Sequence, residues 1–79
     1  MGIDKVKTIL EQHGRLTTPV SELNADSDLY NAGLTSLATV GLMLALEDEF
    51  DVEFPDAMLS RKTFSSIESI LEAIDDLES

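Results

Sequence analysis

The sequence predicts an all-α fold, a small up-down bundle of three main helices plus one short helix, with a long first loop. Three observations predict it. Apolar residues recur at helical spacing in three stretches, no strand-like alternation or Asn-Gly hairpin signal interrupts them, and residues that resist regular structure gather between the first and second stretches. Seventy-nine residues supply one modest core, so a single domain over 1–79 is expected, too short for a conventional two-lobed active-site cleft.

The first helix follows from Ile3, Val6, Ile9, Leu10 and Leu16 on one side and Asp4, Lys5, Lys7, Glu11 and Gln12 on the other. Gly14 and Thr17-Thr18-Pro19 end it. The connector to Thr35 carries Pro19, Asn24, Asp26, Ser27, Asp28, Asn31 and Gly33, while Val20, Leu23, Leu29, Tyr30 and Leu34 are anchors that would pin it to a core. From Ser36 to about Asp51 only Gly41 weakens a run containing Leu37, Val40, Leu42, Met43, Leu44, Leu46 and Phe50, which predicts the second helix. Val52-Glu53-Phe54-Pro55-Asp56 stops it. Ala57, Met58 and Leu59 suggest a short helical turn before Arg61-Lys62. Ser65 with Glu68 three residues on has the form of a capping box, and Ile67, Ile70, Leu71 and Ile74 then form the apolar face of the last helix.

Composition narrows the function. Sixteen acidic and 5 basic residues give a net charge of -11, which repels phosphate backbones, so no nucleic-acid partner is expected. The absence of cysteine removes disulfides and thiolate metal sites and favours a cytoplasmic setting; with one histidine, no metal site is expected. No apolar run approaches the roughly 20 residues of a membrane span, so none is expected. On these grounds the chain is expected to be no enzyme, with no catalytic residue assigned.

Successive residues of the second helix lie about 100° apart, which puts Thr39, Leu42, Met43, Leu46 and Phe50 on one arc and Leu37, Val40 and Leu44 on roughly the opposite one. The first arc suffices for a core. The second, with Gly41 and Ala45 and an acidic rim of Glu47, Asp48 and Asp51, has the composition of a partner-docking strip, unless neighbouring helices bury both arcs. Ser36 stands where this helix begins. It admits two readings, an attachment point for a presented group or an ordinary N-cap, and His13 is too distant in sequence to be its base.

The stretch Gly33-Leu34-Thr35-Ser36-Leu37, followed by Leu42, Ala45-Leu46-Glu47-Asp48-Glu49-Phe50 and then Phe54-Pro55-Asp56, resembles the acyl carrier proteins, and the helix, long loop, helix, short helix, helix layout fits them from end to end. The resemblance implies that Ser36 carries phosphopantetheine, delivered from coenzyme A by a phosphopantetheinyl transferase, and that the arm's thiol holds an acyl group as a thioester. The carrier itself would do no catalysis. A tethered substrate instead reaches successive acyl-transfer enzymes at high effective concentration.

The departures from the family pattern also carry information. In fatty-acid carriers the residue before the serine is aspartate and acidic residues follow on the exposed side of the helix; here those places hold Thr35, Ala38 and Gly41. Basic enzyme surfaces read such a stripe electrostatically, so its loss implies poor recognition by general fatty-acid synthase enzymes and a dedicated loading partner. Specialised acyl transfer, polyketide or nonribosomal-type systems, and aminoacyl carriers loaded by synthetase-like ligases all remain open. The expected partner surface is Thr35, Leu37, Ala38, Val40, Gly41, Leu44, Glu47 and Asp48, on a monomer. The competing reading is an acidic helical interaction module in which Ser36 only caps a helix and the apolar strip binds a partner directly.

Overall fold

A computed structural model describes residues 2–78 and places three α-helices in them: α1 (Gly2–His13), α2 (Ser36–Phe50) and α3 (Ile67–Glu78). Helix α1 packs on both of the others, and Val6, Leu10, Leu42, Leu46, Ile67 and Ile70 are fully buried where they meet. The expected short fourth helix is a single 3-10 turn, Asp56–Met58, and a second 3-10 turn, Val20–Glu22, lies in the connector where none was expected. Among the described residues the bundle therefore has three helices rather than four. Pro19 and Pro55 immediately precede these turns, and their fixed φ starts a tight turn without supplying the length of a helix. Leu16, read as the end of the first helical face, lies beyond α1 but still packs against the core.

The long connector is held by backbone bonds. Thr17 and Thr18 N–H both donate to the Ala32 carbonyl at 2.8 and 3.2 Å, and the Thr17 hydroxyl donates to the same oxygen. Leu29 N–H donates to Ser65 O at 2.8 Å and Glu68 N–H to Ala25 O at 2.9 Å, which ties the loop to the start of α3. These bonds satisfy backbone groups that a long loop would otherwise leave unpaired. Val20, Leu23, Leu29 and Leu34 are buried as expected, and Tyr30 is half-buried.

Two helix ends differ from expectation by one residue. Helix α2 stops at Asp51, which takes a left-handed conformation (φ 53°) and donates its N–H to Glu47 O. Helix α3 is capped by Ser66, whose Oγ accepts from Ser69 N–H at 3.1 Å, whereas Ser65 Oγ donates to Lys62 O. The Ser65–Glu68 capping box is therefore not formed: Glu68 N–H goes to the connector instead, and the neighbouring serine takes the cap.

Candidate functional site

Helix α2 has a well-defined start. Thr35 is extended (φ -102°, ψ 163°), its Oγ1 accepts from Ala38 N–H at 3.1 Å, and its carbonyl accepts from both the backbone and the hydroxyl of Thr39. Thr35 is thus the N-cap, and Ser36 is the first helical residue. The N-cap reading of Ser36 therefore does not hold, because Thr35 takes that place. The Ser36 side chain is exposed, and among the described residues its hydroxyl makes no hydrogen bond, so it is free to react. The first turn of α2 contains no acidic residue, so an anion attached there would meet free N–H groups and the positive end of the helix dipole without a neighbouring carboxylate from that turn.

The outer face of α2 is apolar and uncovered. Leu37, Val40 and Leu44 are 84%, 53% and 56% exposed, which excludes burial of both arcs. Gly41 lies among them, and a β-carbon built there would touch nothing within 4 Å. Asp48 is exposed beside them. Ala38 needs correction: it is buried and faces the core, because it heads the i, i+4, i+8 row that continues through Leu42 and Leu46. Ala45 is half-buried against the core rather than part of an open strip. Glu47 is also half-buried, and its Oε2 accepts from Phe54 N–H at 2.8 Å, holding the chain that leaves the helix.

Beside Ser36, and sharing Val40 with the outer face, a groove of about 410 Å³ runs between α2 and residues 59–64. Thr39, Val40, Met43, Leu59 and Phe64 line it, together with Tyr30 and Arg61, whose guanidinium lies 3.9 Å from the Tyr30 ring centre. Sequence reasoning passed over this pair. The available signal was that Arg61 and Lys62 are the only basic residues after Arg15.

A family described as "Phosphopantetheine attachment site" matches residues 4–74 of this chain. The chain belongs to the phosphopantetheine-attachment family. As a member it carries phosphopantetheine covalently, and the exposed hydroxyl at the mouth of α2 fits that group. It is similar to the aminoacyl carrier protein of Agrobacterium fabrum (strain C58), with 48% identity over 69 residues covering 87% of this chain and 83% of that protein. It is also similar to the D-alanyl carrier protein of Streptococcus pyogenes serotype M1, with 34% identity over 74 residues covering 91% and 92%. Its fold is similar to a chain in the crystal structure of engineered Bradyrhizobium japonicum glycine:[carrier protein] ligase complexed with carrier protein from Agrobacterium tumefaciens and ATP. There the TM-score is 0.91 at 44% identity, over 95% of this chain and 97% of that one. The all-α carrier architecture expected from the sequence agrees with this likeness. Among the described residues no helix is long and apolar enough to cross a membrane.

Proposed function

We propose that Ser36 is the residue to which this family member's phosphopantetheine is attached, and that the arm presents an aminoacyl group loaded by a dedicated ATP-dependent ligase. The observation that carries the assignment is the division of labour at the start of α2: Thr35 caps the helix, which leaves the exposed Ser36 hydroxyl uncommitted. During attachment Ser36 Oγ forms a bond to the phosphorus of coenzyme A's pantetheine phosphate and gives up its proton. The phosphoanhydride bond breaks and the nucleotide bisphosphate leaves. Among the described residues no base is hydrogen-bonded to Ser36, so the transferase supplies one. The chain contributes an accessible nucleophile at a helix mouth and a rigid body to dock, and it catalyses nothing itself.

The ligase reading rests on the likeness to an aminoacyl carrier protein and to a chain crystallised with a glycine:[carrier protein] ligase. It also fits the missing acids: Thr35 and Gly41 present no charge, so the surface around Ser36 offers apolar Leu37, Val40 and Leu44 in place of an acidic stripe. We assign the partner surface to Thr35, Leu37, Val40, Gly41, Leu44 and Asp48, on a single cytoplasmic carrier domain spanning residues 1–79. The test is intact mass after incubation with coenzyme A and a broad-specificity transferase, followed by ATP, labelled glycine or alanine and a carrier-protein ligase. The expected outcome is the mass of one arm on wild type and none on Ser36→Ala, then label bound as a hydroxylamine-labile thioester. An arm that still attaches to Ser36→Ala removes the site assignment, and an arm that no amino-acid ligase will load removes the aminoacyl reading.

A further inference from the structure

We propose that Arg61, held over the Tyr30 ring, is the positioning residue for the phosphodiester of the arm on Ser36, so that the proximal end of the arm lies against this wall of the groove. This deepens the function proposed above and rests on the attachment at Ser36. Three observations support it.

The first is the choice of residue. Among the described residues none of the five cations forms an ion pair despite the net charge of -11, and Arg61 is distinguished by a guanidinium stacked closely, at 3.9 Å, on the Tyr30 ring. Stacking uses the face of the guanidinium and leaves its edge, with the N–H donors, open for an anion. The second is position. Arg61 and Ser36 line the same groove, on opposite sides of its opening between α2 and residues 59–64. The third is the chemistry of that groove. None of the residues lining it is acidic, and Val40, Met43, Leu59 and Phe64 make it largely apolar around one cation. Such a wall accepts a singly charged phosphate followed by a hydrocarbon segment, which describes the Ser36 end of phosphopantetheine. It does not favour an amino acid's ammonium group, which would meet Arg61 and no carboxylate. The cargo end is therefore left in solvent, where an enzyme can reach it.

The partial positive charge of the α2 N-terminus acts on the same phosphate from the other side. Arg61 supplies the direction, because a helix end alone attracts an anion without choosing which side of α2 the arm follows. Tyr30 in turn holds Arg61: it is half-buried in the connector, which is tied to the start of α3 through the Leu29–Ser65 bond.

The experiment compares apo and arm-bearing forms of wild type, Arg61→Gln and Arg61→Lys, each shown by mass to be fully modified at Ser36. In wild type, adding the arm should move the Arg61 Nε–H resonance in 15N-edited NMR and leave Lys62 unperturbed. Modification should change the melting temperature more favourably in wild type than in Arg61→Gln, by about 1 to 4 °C, as expected for an exposed ion pair in a small domain. Arg61→Lys should retain part of this difference, and 0.5 M NaCl should reduce it. A purely structural Arg61 would change apo and modified forms alike and leave the difference between them at zero. Complete modification with an unmoved Arg61 resonance and equal apo-to-modified shifts in all three proteins overturns the inference while leaving the attachment site intact. Failure of the arm to attach at Ser36 removes the attachment reading instead.

Discussion

Thr35 and Ser36 are both hydroxyl residues at the start of α2, yet they should behave in opposite ways when truncated. Thr35→Ala deletes the oxygen that accepts from Ala38 N–H and should cost about 1 kcal/mol of stability. Ser36→Ala deletes a hydroxyl with no partner among the described residues and replaces it with a better helix former, so the melting temperature should stay level or rise slightly while modification is lost. Thermal melts of the two variants check this directly. A loss confined to Ser36→Ala would mean that Ser36 caps the helix after all. Gly33 is constrained in a different way: its φ is 112°, and a β-carbon there would come within 2.7 Å of Thr17 N, whose N–H is already bonded to Ala32 O. Gly33→Ala should therefore cost roughly 1–3 kcal/mol in denaturant titrations, because it adds left-handed strain to a clash with backbone. An unchanged midpoint would show that the loop shifts freely around this position.

At the scale of the element, α2 was legible in the sequence wherever its period alone decides the outcome. Leu37, Val40 and Leu44 project outward because 100° per residue leaves them no other direction once Leu42 and Leu46 face the core. Ala38 was misplaced because alanine suits either face and carries no hydropathic signal strong enough to fix a side. The α3 cap was read one residue early because adjacent serines are equally able to cap, and the choice was made by a bond from Glu68 N–H to the distant Ala25 carbonyl. The scarcity of cations could have marked Arg61, but its pairing with Tyr30 was not legible for the same reason, since it joins segments that only the tertiary fold brings together. The corrected face of α2 divides the acidic substitutions into two groups. Ala38→Asp would bury a carboxylate and should lower stability by several kcal/mol, whereas Thr35→Asp with Gly41→Glu leaves the core untouched. That pair should raise kcat/KM for modification by a fatty-acid-type transferase and lower it for loading by an aminoacyl ligase; unchanged values for both enzymes would show that these positions do not select partners. Gly41→Ala separates the stability effect from the docking effect. Nothing in the chain needs a glycine there, so the variant should be about 0.5–1 kcal/mol more stable, and a simultaneous fall in loading would locate a close enzyme contact on this face.

For the whole molecule, the dominant unbalanced term is charge. The 16 acidic and 5 basic residues are spread over a body with a radius of gyration of 11.1 Å, and α3 has no basic residue in its last turn to offset Asp75 and Glu78 near the negative end of its dipole. In about 0.01 M salt the Debye length is roughly 30 Å, so nearly every carboxylate feels nearly every other; at 0.15 M it falls to about 8 Å, below that radius, and only near neighbours still interact. The expanded unfolded chain suffers less from this repulsion, so screening should favour the native state. The opposing effect is small, because the attractive charge contacts that salt would weaken include two cation–aromatic pairs, Arg61 on Tyr30 and Lys5 near Phe50. The melting temperature at neutral pH should therefore rise between about 0.01 and 0.15 M NaCl and level off above that range as the Debye length becomes short. Magnesium chloride at matched ionic strength should act similarly, because among the described residues no group of three or more His, Cys, Asp or Glu side chains is placed to hold a metal ion. A flat or falling NaCl curve would show that attractive charge contacts outweigh the net repulsion. A much larger magnesium effect would reveal specific cation binding in place of general screening.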